Sequence, residues 1–113
     1  MTQFDYVIGE AGTLGFPIDQ PDGAPMPLDG LSLRLVLSRS GVIITIPGYV
    51  SSGPFRYEDG SVLDHPSIAA FDFTGELILE DARTYRCAVQ IQIGNDWSTL
   101  DGHGDHRINA RRP

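Results

Sequence analysis

The chain has 113 residues, 41% of them hydrophobic and 20% charged, which predicts one globular domain over residues 1–113. Eight basic side chains, all of them arginine, against fifteen acidic ones give a net charge of −7, which argues against nucleic acid as the main partner. No apolar run is long enough to span a bilayer, and the first residues show no signal-peptide pattern. We therefore expect neither a membrane protein nor a nucleic-acid-binding protein.

Glycine and proline are spread along the whole chain, with 13 and 8 residues. Because both residue types destabilise the interior of a helix, we expect an all-β protein. The single cysteine, Cys87, excludes an internal disulfide. It falls on the inward face of a predicted strand, so we expect a small core side chain rather than a nucleophile.

The first part of the chain shows strands separated by turns. Apolar residues alternate with polar ones in two opening strands, first at Phe4, Tyr6 and Ile8 and then at Leu14, Phe16 and Ile18. Pro17 restricts the second strand to a sheet edge, because proline cannot donate to a ladder. Residues 20–23 and 29–30 have the composition of turns. The clearest strand follows, and we expect its four leucines to point inward against Ile44, Phe71 and Val89: Leu31, Leu33, Leu35 and Leu37.

The second part continues this pattern with one exception. A hairpin loop at 39–41 leads into residues 42–46, whose β-branched side chains predict a strand buried on both faces. Residues 47–66 are polar and predict a long irregular loop with at most a short strand near Val62. Further strands are predicted at 68–73, 85–93, 97–100 and 107–110, with a turn at 94–96. Seven or eight strands at this spacing predict an antiparallel β-sandwich or a small barrel.

A short motif at the start of the predicted strand at 85–93 is compatible with two structures. Asp81, Tyr85 and Cys87 have the spacing of a tyrosine corner, in which a tyrosine hydroxyl bonds to upstream backbone in immunoglobulin-like domains. The alternative is one helical turn at 76–82 followed by an ordinary strand. The sequence leaves both open.

Residues 101–106 contain the densest group of potential metal ligands, two aspartates and two histidines. Their spacing matches no established metal site, so we favour a solvated hairpin tip over a metal-dependent hydrolase. Asp64 and His65 lie beside Ser61 and Ser67, but adjacency in sequence does not produce catalytic geometry. We predict no enzyme, no cofactor and no metal.

The turn and strand motifs resemble those of a known family. Residues 12–16, the turn at 20–25, the Leu28-Asp29-Gly30 segment and the leucine strand after it are similar to small immunoglobulin-like domains of tailed-phage virions. Within this family the chain resembles the N-terminal domain of phage baseplate upper proteins. The resemblance implies an immunoglobulin-like sandwich and a non-enzymatic protein located in the virion, as a tail, baseplate, neck or capsid-decoration component. It implies no catalytic residue.

Such a protein acts by surface contact with other virion proteins, including copies of itself. We expect the contact surfaces in three irregular segments, residues 1–8, 47–66 and 103–113. The aromatic load of the loop and the positive charge of the tail single out six partner-binding candidates: Tyr49, Phe55, Tyr57, Arg107, Arg111 and Arg112. The alternative is a carbohydrate- or receptor-binding module that stacks ligands on Trp97 and the loop aromatics. A coplanar exposed row of rings would favour this alternative.

Overall fold

The protein consists of β-strands in the computed structural model, which describes residues 3–56, 60–73 and 83–113. Within these residues there are eight strands and no helix. The strands are β1 (Gln3–Val7), β2 (Gly12–Pro17), β3 (Leu33–Arg39), β4 (Val42–Arg56), β5 (Val62–Phe73), β6 (Thr84–Ile93), β7 (Asp96–Thr99) and β8 (His106–Arg111). The all-β prediction is therefore confirmed.

The strands form one curled, mixed sheet. Their order is β1-β8-β6-β3-β4-β5-β2, and β7 adds to the end of β6. β1 and β8 run parallel, whereas every other strand pair is antiparallel. The prediction of a purely antiparallel arrangement is wrong at this pair, because alternation identifies a strand but not its neighbour from the far end of the chain. β2 terminates the sheet, as Pro17 indicated.

The sheet has two halves, one with β1, β8, β6, β7 and β3 and the other with β5 and β2. The long strand β4 belongs to both. The first part of β4, residues 42–47, pairs with β3, and the second part, residues 48–56, pairs with β5. The predicted irregular loop at 47–66 is therefore wrong over residues 47–56 and 62–66, which are strand. Its Ser, Gly and Pro content suggested a loop, but two long strands that pair with each other satisfy the backbone hydrogen bonds whatever the local propensity.

An irregularity in the β4–β5 ladder accommodates Pro66. Between Ser51 and Gly53 the partner strand advances from Ile68 to His65, so β5 carries one extra residue. The Nδ1 atom of His65 accepts a hydrogen bond from the Ser67 N–H at 2.9 Å, and its Nε2 atom lies 2.8 Å from Asp19 Oδ1. His65 thus has a structural role at this β-bulge.

The core lies on the inner face of the curled sheet. Leu33, Leu35 and Leu37 are buried there, as predicted, but Leu31 is 36% exposed. Leu31 precedes β3 and closes the turn at Asp29-Gly30, where its N–H donates to the Leu28 carbonyl, so the alternation does not yet apply. The prediction that residues 42–46 are buried on both faces is also wrong, because Ile43 is 70% exposed while Ile46 is buried.

The crossing of β4 between the two halves requires a glycine. Gly48 lies directly opposite Phe71 of β5, and the Phe71 ring covers the Gly48 backbone so closely that a Cβ atom would come within 2.4 Å of Phe71 Cε1. Phe71 is itself fully buried. Any side chain at residue 48 would therefore displace this ring from the core.

We predict that Gly48→Ala lowers the free energy of unfolding by about 1 to 3 kcal/mol, the usual effect of overpacking a core. Chemical denaturation of the two proteins measures this difference. The matched control is Gly48→Ala combined with Phe71→Leu, in which the smaller side chain makes room for the methyl group. If Gly48→Ala lowers the free energy of unfolding as much in the Phe71→Leu background as in the native protein, the Phe71 ring is not the cause of the loss.

Candidate functional site

The structure does not bring the predicted loop aromatics together. Tyr49 is exposed on the outer face of β4, where its hydroxyl donates to Asp72 Oδ1 at 3.0 Å. Phe55 is only 8% exposed and packs with Ile68 in a small second cluster, so little of its side chain is available to a partner. This cluster lies on the face of β5 opposite to the main core. Tyr57 lies outside the described residues.

The predicted tail arginines lie on or just after β8. Arg107 forms an ion pair with Asp105, which also lies 3.4 Å from Arg86, so part of its charge is compensated within the chain. Arg111 ends β8 and Arg112 follows it, both with exposed side chains. Partner binding by these arginines stays a prediction.

Two of the three segments expected to be irregular are strands that lie side by side. Residues 3–7 form β1 and residues 106–111 form β8, with Phe4 opposite Ile108 and Val7 opposite Arg111. Because β1 and β2 are the terminal strands of the sheet, the sheet is open between them. An opening of about 770 Å³ lies here, and we call it the edge cleft.

Aromatic rings from both sides line the edge cleft. Phe4 of β1 meets Phe16 of β2 edge-on at a centroid distance of 5.3 Å, and Tyr6 meets Phe73 of β5 at 5.0 Å. The Tyr6 hydroxyl donates to the Glu10 carbonyl at 2.7 Å. Side chains, rather than a backbone ladder, therefore connect the two terminal strands across the cleft.

Two histidines complete the lining of the edge cleft. His103 Nδ1 lies 2.9 Å from His106 Nε2, a hydrogen bond in which one imidazole donates and the other accepts. The ring of His106 packs on Phe16 at 4.6 Å between centroids. His106 is 5% exposed, and its Nδ1 atom is buried without a hydrogen-bond partner.

Burial favours the uncharged form of both imidazoles. Desolvation, together with the positive charge that His103 would carry, lowers the pKa of His106 to about 4. Desolvation also lowers the pKa of His103, which the negative charge of Asp19 partly offsets. Two neutral imidazoles can share one hydrogen bond, whereas two protonated ones would repel each other.

The sequence contained a signal for this pair that the solvated-tip interpretation missed. That interpretation is wrong for the two histidines, because His106 is the first residue of β8 and alternates with Ile108 and Ala110 on the buried face. The predicted strand began one residue later, at 107, which left His106 in the loop. The loop itself is anchored, since the His103 carbonyl accepts the Val89 N–H at 2.9 Å.

The remaining reactive groups of the described chain are accounted for by packing. Cys87 is fully buried, as predicted, and its burial raises the pKa of the thiol to about 12. Among residues 3–56, 60–73 and 83–113, no three His, Cys, Asp or Glu side chains are grouped so that they could hold a metal ion.

We predict that the buried histidine makes folding stability depend on pH. The unfolded chain binds a proton at residue 106 with a pKa near 6.5, whereas the folded protein does so near 4. Stability is therefore complete above pH 6.5 and falls as the pH drops toward 4, by about 2 kcal/mol between pH 7 and pH 5. Urea denaturation across this range measures the loss.

The matched variants are His106→Gln, which removes the buried titration, and His103→Gln, which keeps it. His106→Gln should lose about 2 kcal/mol less stability than the native protein over the same range, while His103→Gln should retain most of the loss. Parallel stability curves for the native protein and His106→Gln would contradict the assignment.

Comparison with known protein families and curated proteins found no match. Within the described ranges no helix is long and apolar enough to cross a membrane.

Proposed function

We propose that this protein is a non-enzymatic structural component of a tailed-phage virion, which acts by contact with other virion proteins. The observation that carries the contact role is the open sheet, whose terminal strands border an aromatic-lined cleft. An open edge of this kind is a recurrent site of protein–protein contact. The virion assignment itself rests on the sequence resemblance.

The segments that carry the resemblance have conformations compatible with it. Residues 12–17 form β2, and the turn at 20–23 is closed by the Gly23 N–H, which donates to the Gln20 carbonyl at 2.9 Å. Gly30 has a φ of 78°, which favours glycine in the second predicted turn. These features support the proposal at the level of local structure.

We further propose that the curled sheet is a variant of the immunoglobulin-like sandwich. In that fold, strands B, E and D share one sheet and strands C, F and G share the other. Here β2, β5 and the end of β4 are neighbours, and so are β3, β6 and β8, in the matching order. Two features depart from the pattern, since β1 pairs with β8 rather than with β2 and β4 runs continuously between the halves.

The carbohydrate-binding alternative has less support. Of its proposed stacking residues, Phe55 is buried and one face of the Trp97 ring is covered by the Arg34 guanidinium at 4.2 Å. Tyr49 is exposed, but it lies on β4 while Trp97 lies on β7. Among the described residues these rings do not form the coplanar exposed row that sugar stacking needs.

The immunoglobulin-like proposal predicts a stability contribution from Tyr85. Its side chain is 2% exposed, but Asp81 and the 76–82 segment, which decide between corner and helical turn, lie outside the described residues. In a tyrosine corner, Tyr85→Phe leaves a buried backbone group unpaired and lowers the free energy of unfolding by about 1 to 3 kcal/mol. Tyr6→Phe is the matched control, because its hydroxyl bonds an exposed carbonyl. Equally small losses of unfolding free energy in both variants would contradict a tyrosine corner at Tyr85.

The virion assignment predicts that the protein copurifies with phage particles. Particles purified from a lysate of the producing host, digested after arginine, should contain its peptides at a constant ratio to the other structural proteins. Eight arginines and no lysine make arginine-specific cleavage sufficient. The same lysate after removal of particles is the control. Recovery of the protein only in that particle-free fraction would contradict the assignment.

A further inference from the structure

The outer edge of β1 is available for pairing. The Ile8 N–H donates to the Arg111 carbonyl of β8 at 2.8 Å, which sets the alternation of backbone directions along the strand. The backbone N–H groups of Asp5 and Val7 therefore point away from β8, toward the edge cleft. In the part of the chain that the structure describes, β1 pairs with no strand other than β8.

The charge around the edge cleft is predominantly negative. Asp5 and Glu10 are among its lining residues, and Asp72 accepts a hydrogen bond of 2.8 Å from Thr13, another lining residue. Arg111 is the single arginine among the described lining residues. These acidic residues form the rim of the edge cleft. Together with the net charge of −7, the rim favours binding of a basic peptide segment over an acidic one.

A second copy of the chain is a poor occupant. Antiparallel pairing of two β1 strands around their common centre would place the two Asp5 side chains opposite each other, and like charges in that position destabilise a sheet. A charged residue in the middle of an edge strand is also a usual protection against self-association. The occupant is thus expected to be a different protein.

We propose that the edge cleft binds an extended, arginine- or lysine-bearing segment of a partner protein, which adds to β1 as a strand. Main-chain hydrogen bonds to Asp5 and Val7 hold the segment, and its apolar side chains cover the rings of Phe4 and Phe16. The carboxylates of the rim pair with its basic side chains. This inference rests on the proposed role in protein–protein contact and specifies the chemistry of the partner.

The test uses a capped peptide that alternates arginine and valine as the probe, titrated into the isotope-labelled full chain. Amide signals of Asp5 and Val7 should shift with a saturable dependence on peptide concentration. Two peptide controls separate the contributions, one with glutamate at each arginine position and one with N-methylated valines, which cannot form the ladder. Both should bind at least tenfold more weakly.

Variants of the protein test the rim. Asp5→Asn with Glu10→Gln should weaken binding of the arginine peptide about fivefold at low salt, through the loss of two exposed ion pairs. Asp96→Asn with Asp101→Asn changes the net charge equally but lies outside the cleft lining, so it should have a much smaller effect.

Four results would overturn the inference. These are absence of binding by the arginine peptide, equal binding of either control peptide, amide shifts confined to strands other than β1 and β2, and a free protein that is already a dimer paired through β1. The particle experiment is independent of all four. If the protein is found in particles but does not bind the peptide, the proposed function stands and this inference fails. If the protein binds the peptide but is absent from particles, the virion assignment fails and the binding site stands.

Discussion

The packing of the Phe71 ring against the backbone of Gly48 determines how the two halves of the sheet meet. β4 is the only described strand that pairs in both halves, and it changes partner at residues 47 and 48. From Phe71 a chain of ring contacts leads outward, through Phe16 at 5.9 Å to His106 at 4.6 Å. The position of one glycine thereby sets the packing of the cleft wall on the far side of the core.

The parts of the fold that the sequence predicted are those governed by local patterns. Alternation identified the inward faces of β3 and β6, and Pro17 identified a terminal strand. The errors arose where distant partners decide. Residues 47–56 look like a loop in isolation and become a strand because residues 62–73 pair with them, and the parallel neighbour of β1 lies a hundred residues away.

The candidate site was predicted only in fragments, for the same reason. Residues 1–8 and 103–113 were each identified as contact surfaces, but their adjacency depends on the parallel pairing of β1 and β8. The histidine pair required the start of β8 to be known within one residue, because His106 shares the inward face of Ile108 and Ala110 only if the strand includes it. Phe55 resembles an interface centre in the sequence because it is an aromatic residue among polar ones, whereas in the structure it fills a small cluster of its own.

Two buried titratable groups beside the edge cleft couple its packing to their protonation. Cys87 and His106 lie opposite each other in the β6–β8 ladder, and burial disfavours the charged form of each. The His106 ring also packs on Phe16, which contacts Phe4 of β1. Charging this imidazole therefore weakens the packing that joins the terminal strands, so that the strength of the cleft wall depends on acidity.

The parallel pairing of β1 with β8 has a mechanical consequence. In this geometry the chain enters β1 at the Gln3–Arg107 end of the ladder and leaves β8 at the Val7–Arg111 end. A pulling force applied between the segments that precede β1 and follow β8 therefore acts along the strands and loads their hydrogen bonds in shear. These bonds must yield together, whereas strands pulled from one end open one bond at a time. The β1–β8 ladder consequently has the geometry that resists tension applied through the segments before β1 and after β8.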